Sequence, residues 1–146
     1  MDRLIVDGYN IVHAWPDLKG LTHYSLEAAR DRLIERLAVY AQVRGADVTV
    51  VFDAHRTSAK ANSTDTIDGV HVVFTRKGHS ADHAIERIAY ASADDRDPIT
   101  VATSDRFQRD LVRGMGGAVI SALELERQVV EAEKDLGRSV DRYNRK

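Results

Sequence analysis

The sequence predicts an α/β fold built on a mainly parallel sheet, and three observations carry that prediction. Short β-branched apolar runs alternate with amphipathic stretches from one end of the chain to the other, the pattern of strands joined by crossover helices. Four aspartates, Asp7, Asp53, Asp82 and Asp105, end or closely follow those runs, in LIVDGYN, VTVVFDAH, VHVVFTRKGHSAD and ITVATSD. A length of 146 residues supplies one core of two or three layers and is too short for two.

RLIV at 3–6 is the first strand, followed by a loop flanked by Tyr9 and Trp15. A helix spans 25–44, with Ser25 at its N-cap, Leu26, Ala29, Leu33, Leu37, Tyr40 and Ala41 on one face, and Gly45 beyond its end. DVTVVF at 47–52 and VHVVFT at 70–75 are β-branched strands, and 54–68 between them is polar and turn-rich. Ser80 caps a helix over 81–93 whose stripe is Ala81, Ala84, Ile85, Ile88 and Ala89. Asp95 to Pro98 breaks the chain before the strand ITVA at 99–102. Ser104 caps a short helix through 113, with Phe107 and Leu111 expected to face inward, and GMGG turns into a last strand at 118–120. Ser121 and Glu124 form a capping box for a final helix carrying Leu125, Val129 and Leu136, closed by Gly137. This divides the chain into a domain over 1–136 and a polar, basic tail over 137–146, expected to fray.

Composition narrows the chemistry. With no cysteine, disulfides, thiolate nucleophiles, iron–sulfur clusters and thiolate-bound zinc are excluded. A net charge of −2 gives no global attraction to nucleic acid, so a polyanion would be held by local basic clusters or metal ions. No apolar run is long enough to cross a bilayer. An acidic residue, Asp2, stands where a signal peptide would be basic, and Asp7 interrupts the first apolar run. A cytoplasmic protein with no membrane role is expected.

Crossovers between parallel strands are right-handed, so the strands' C-terminal ends share one edge, where open α/β sheets bind ligands. Asp7, Asp53 and Asp105 fall just past predicted strands. Asp82 sits in the first turn of the next helix, with Glu86 four residues on along the same face. One such aspartate is readily explained as a turn former or helix cap; recurrence at one edge is the signal. Carboxylates this crowded raise one another's pKa unless a cation neutralises them. An oxygen-only set suits Mg²⁺ or Mn²⁺, and a metal pair would support phosphodiester cleavage.

Further residues fall on that edge. Thr103 and Ser104 precede Asp105 at a helix N-terminus, where backbone N–H groups favour phosphate. Arg56, Lys60, Arg76 and Lys77 follow the second and third strands and would steer phosphates toward the acids. Tyr9 or Trp15, if exposed, would stack an unpaired base, although Trp15 is expected to pack its loop onto the core. His13, His55, His79 and His83 also lie nearby. His79 and His83 straddle a helix start without the HExxH setting of a zinc site.

The aspartate-bearing stretches are also specific as words. VDGYN (6–10), AWP (14–16), VVFDAH (50–55), VVFT with SAD (72–75, 80–82) and VATSD (101–105) together resemble the YacP-like branch of the NYN nucleases, within the PIN-like, flap-endonuclease-like group. The resemblance covers most of residues 1–136 and implies a PIN-like three-layer α/β/α fold with strand order 3-2-1-4-5. It also implies metal-dependent endoribonuclease activity. By position, Asp7 and Asp82 are similar to the family's principal metal-coordinating, catalytic carboxylates, and Asp105 and Asp53 to its supporting acids. Asn10 resembles a polar partner of the metal or its ligands. The resemblance further implies cleavage of mRNA in association with the ribosome.

The sharpest expectation is therefore a Mg²⁺- or Mn²⁺-dependent endoribonuclease that leaves 5′-phosphate and 3′-hydroxyl ends, without the 2′-hydroxyl as nucleophile. The competing class is a non-catalytic RNA- or ribosome-binding module of the same fold, which gains nothing from an acidic edge. A phosphoacceptor domain lacks its DxD motif after the first strand, and neither GxGxxG nor GxxxxGK[ST] occurs. Cleavage without metal would instead call on a histidine pair such as His13 with His55.

Overall fold

A computed structural model of the chain describes residues 2–53, 63–75, 80–91 and 99–144. In chain order the elements are β1 (Arg3–Asp7), α1 (Gly8–Ala14), α2 (Pro16–Leu21), α3 (Leu26–Arg44), β2 (Asp47–Phe52), β3 (Ser63–Ile67) and β4 (Val70–Phe74). They continue with α4 (Ala81–Ala91), β5 (Ile99–Ala102), α5 (Arg106–Gly114), β6 (Ala118–Ile120) and α6 (Ala122–Asn144). One six-stranded sheet runs β3-β4-β2-β1-β5-β6. All pairings are parallel except β3 with β4. The five expected strands take the expected order, and β3 is added at one edge.

Strand alternation divides the core into two layers. Leu4 and Val6 of β1, with Val48, Val50 and Phe52 of β2, pack against Val12, Leu33, Leu37 and Leu125 of α1, α3 and α6. Ile5, Val51 and Val101 face the other way, onto Ala81, Ala84, Ile85 and Val112 of α4 and α5. Helices therefore cover both faces, as a mainly parallel sheet requires. The signals read for α3 hold: Ser25 Oγ accepts from Ala28 N at 3.1 Å, and Gly45 ends the helix at φ +64°.

Five local readings are corrected. Residues 63–67, read as part of a turn-rich stretch, form β3, because Asp68 (φ +51°) and Gly69 (φ +86°) make the two-residue turn of a hairpin. The strand is polar because it lies at the sheet edge, so no apolar run announces it. The segment after β1 is two short helices. Pro16 forces Trp15 into an extended conformation (ψ 124°), ending α1, and then serves as first residue of α2.

In α5 the inward residues are Gln108 and Val112, and Phe107 is 73% exposed. The α5 cap is Asp105, whose side chain accepts from Gln108 N. Ser104 Oγ accepts instead from Ala122 N at 3.2 Å, at the start of α6. Ser121 Oγ accepts from Glu124 N as expected. However, α6 does not close at Gly137, which stays helical, and continues to Asn144 with Leu136 at the surface. Among the described residues, no helix is long and apolar enough to cross a membrane.

Candidate active site

Asp7 closes β1, an interior strand with β2 on one side and β5 on the other. Helix α1 begins at the very next residue. A Cβ on Gly8 would lie 2.5 Å from the Phe52 ring and 2.9 Å from the Val51 carbonyl oxygen. Only glycine lets α1 start directly against the end of β2. The Asp7 side chain is consequently confined and only 8% exposed. Its Oδ2 accepts from Thr103 Oγ1 at 3.1 Å. The same Thr103 oxygen accepts from Asp105 N at 3.1 Å, so one buried hydroxyl links the end of β1 to the cap of α5.

A cleft of about 310 Å³ is lined by Asp7, Asn10, His13, Asp53, Ser80 and Asp82, among others. Asp53 reaches it from the end of β2, and Asp82 from the first turn of α4, where Ser80 Oγ accepts from His83 N at 3.2 Å. Asp105 stands beside it, its Oδ1 accepting from Gln108 N at 3.0 Å. The strand order thus brings Asp7, Asp53 and Asp82 to one cleft, with Asp105 within electrostatic reach. Glu86, one turn on in α4, is half-buried.

The electrostatics follow from this crowding. The Asp7 pKa is pushed up to about 6, first by burial and then by Asp82, Asp105 and Asp53, against the lowering effect of the Thr103 hydrogen bond. Asp82 is also raised, by desolvation and then by Asp105 and Asp53, with His83 opposing.

The other expected site residues fall as follows. Asn10 lines the cleft, and its Oδ1 accepts from Ser104 N at 2.8 Å. Ser104 Oγ in turn accepts from Ala122 N, so the Ser104 N–H and hydroxyl oxygen each have a partner within the protein. Tyr9 is buried against Phe52, ring centroids 5.0 Å apart. Trp15 is buried and donates from Nε1 to Ala122 O at 2.8 Å, so it packs its segment down as expected. Arg56, Lys60, Arg76, Lys77, His55 and His79 lie outside the described residues.

One participant was missed. Gln108 is 1% exposed, donates from Nε2 to Asp82 Oδ1 at 3.2 Å, and takes its backbone cap from Asp105. Its available signal was a polar residue four positions before Val112, on what proves to be the inward stripe of α5. The apolar pair Phe107 and Leu111 drew the reading to the wrong face.

Among the described residues, no three acidic or histidine side chains stand close enough to hold an ion unaided. The donors nonetheless suit a hard cation, because Mg²⁺ takes one or two carboxylates and completes its shell with water and substrate phosphate. A carboxylate whose pKa is raised by burial and then by three neighbouring acids is also the electrostatic situation that a divalent cation relieves.

The chain is 42% identical over 140 residues to the uncharacterized protein YacP of Bacillus subtilis (strain 168), covering 96% of this chain and 82% of that protein. It superimposes on the crystal structure of a mutant of Rae1 (YacP) from Bacillus subtilis with a TM-score of 0.87 at 40% identity, covering 100% of this chain and 86% of that one. A second crystal structure of Rae1 (YacP) gives a TM-score of 0.85 at 41% identity, covering 98% and 82%. Residues 4–146 match the YacP-like NYN domain. With its mainly parallel sheet covered by helices on both faces, the chain belongs to the YacP-like NYN domain family.

Proposed function

We propose that the chain is a Mg²⁺- or Mn²⁺-dependent endoribonuclease that cuts mRNA in association with the ribosome. The observation that carries the reading is the burial of Asp7 at the end of β1 with Asp53 and Asp82 lining the same cleft and Asp105 beside it. Asp7 and Asp82 are its catalytic, metal-holding carboxylates, and Asp105 and Asp53 support them. A divalent cation bound there would activate water and stabilise the leaving oxygen.

The protein's own contribution is positional. Thr103 fixes the rotamer of Asp7 by donating to Oδ2, and Gln108 fixes Asp82 by donating to Oδ1. The second oxygen of each carboxylate would be the one to take a cation bound there. In-line attack of water on phosphorus, with the 3′ oxygen leaving, yields 5′-phosphate and 3′-hydroxyl ends. The site is acidic, so RNA phosphates approach favourably only with counter-charge in place.

The test is to incubate wild type and Asp82→Asn with total RNA and with translating ribosomes, with and without Mn²⁺, and to map the new 5′ ends. New 5′-phosphate ends from wild type alone, lost in EDTA and enriched on ribosomes, are expected. Full activity in excess EDTA, or 2′,3′-cyclic phosphate products, would overturn the metal mechanism. Ribosome binding with no cutting in either metal would make the chain an RNA-binding module.

A further inference from the structure

We propose that Phe107 and Arg106, on the first turn of α5, form a subsite for an unpaired RNA nucleotide beside the cleft, Phe107 stacking the base and Arg106 taking a flanking phosphate. The proposal rests on the RNA-cutting reading above.

Phe107 is 73% exposed, although its helix has an inward stripe it could have joined. That stripe is taken by Gln108 and Val112, and Gln108 is held there by Asp82 and Asp105. The contacts that organise the acids therefore turn Phe107 outward. The aromatics expected at the edge, Tyr9 and Trp15, are buried, so neither offers a face to a base. Phe107 lies two residues past Asp105, about 3 Å further along the helix axis. Helices that follow strands start at the carboxyl edge and run back from it. Tyr90, also exposed at 76%, comes nine residues after the start of α4 and so lies roughly 13 Å from that edge.

The charge around Phe107 fits the same ligand. α5 carries Arg106, Arg109 and Arg113 against the single acid Asp110, in a chain of net charge −2. Arg106 and Arg113 are exposed, and Arg109 is half-buried with its Nε lacking a hydrogen-bond partner. An exposed aromatic ring among arginines is the pairing that binds single strands, since every base has a π-face and every nucleotide a phosphate. An apolar protein partner would find the ring but not a use for the arginines.

The test combines anisotropy of a labelled single-stranded RNA and of its duplex, in EDTA, with cleavage kinetics in Mn²⁺. Phe107→Ala is expected to weaken single-strand binding and raise KM roughly 5- to 100-fold with kcat retained and thermal midpoint unchanged. Phe107→Trp should bind like wild type and show indole quenching by single-stranded RNA, the other tryptophan, Trp15, being buried. Arg106→Gln should weaken single strand and duplex alike and flatten the salt dependence, and Tyr90→Ala should change nothing. Wild-type KM in Phe107→Ala, equal loss of duplex and single strand, or an unquenched Phe107→Trp would each overturn the subsite. If wild type binds single strands through Phe107 but cuts none, the subsite stands and the nuclease reading fails. Cutting by wild type with Phe107→Ala unaffected has the opposite meaning.

Discussion

Gln108 donates from Nε2 to Asp82 Oδ1 at 3.2 Å, from a side chain that is itself only 1% exposed. Its own Oε1 is buried without a hydrogen-bond partner in the protein. A half-satisfied amide in an apolar layer is poor for stability, which fits a residue kept for what it holds.

Gln108→Leu is therefore expected to leave unfolding stability unchanged within about 1 kcal/mol, or to raise it, since apolar replacement of a partly satisfied amide is often neutral. Cleavage or Mn²⁺ affinity should fall roughly 10- to 100-fold, the usual effect of freeing a metal-holding side chain. Urea unfolding together with metal titration checks both. A large stability loss with unchanged metal affinity would make Gln108 a packing residue only.

The pH dependence of the metal-free protein follows from Asp7. Its folded pKa, about 6, lies above the ordinary aspartate value of 3.8, so the folded state binds the proton more tightly than the unfolded state. Stability from this group is therefore greatest below pH 3.8, falls as pH rises through about 6, and stays low above it. The full difference is about 3 kcal/mol. Urea unfolding in EDTA at pH 5 and pH 7.5, with Asp7→Asn as reference, isolates it; identical differences from the reference at both pH values would contradict the shift.

Asp7→Asn should remove that penalty. At pH 7.5 in EDTA the variant is expected to be about 1–3 kcal/mol more stable than wild type, while cutting no RNA. Added Mn²⁺ should stabilise wild type and not the variant, which differential scanning calorimetry reads directly. Equal Mn²⁺ stabilisation of both proteins would place the ion elsewhere.

Thr103→Val removes the one interaction that lowers the Asp7 pKa. The Asp7 pKa should then rise further, moving the acid limb of the pH–rate profile to higher pH. Because the Thr103 hydroxyl also accepts from Asp105 N, a stability cost of about 1–2 kcal/mol is expected. An unmoved acid limb would mean that Asp7 does not set it.

Trp15 tests the packing of the segment after α1 against α3 and α6. Its ring is buried, its Nε1 donates to Ala122 O, and the Arg36 guanidinium sits 4.8 Å above it while binding Asp17 and Glu133. Trp15→Ala should cost about 3–5 kcal/mol and Trp15→Phe about 1–2 kcal/mol, both read by urea unfolding.

The parts legible in the sequence were those written in local pattern. β1, β2, β4 and β5 are short β-branched runs, and α3 carries both caps, Ser25 and Gly45, at its ends. The polar edge strand β3 lacks an apolar face, so only its Asp68–Gly69 turn could have announced it. The inward face of α5 was misread because Phe107 is apolar and Gln108 is not, a rule that fails where a buried polar group serves a neighbour.

Periodicity and the placement of aspartates in chain order determined by themselves that this chain forms a parallel α/β sheet with acids at its carboxyl edge, because both depend on near neighbours. Only the tertiary structure decided which acid is buried, what holds each one, and that Asp53 shares the cleft while Asp105 also caps a helix. Those outcomes depend on residues far apart in sequence: Thr103 against Asp7, Gln108 against Asp82, and Gly8 against Phe52. Burial and Coulomb interaction act through space, and no local pattern of residue types encodes which distant side chains the fold will bring together.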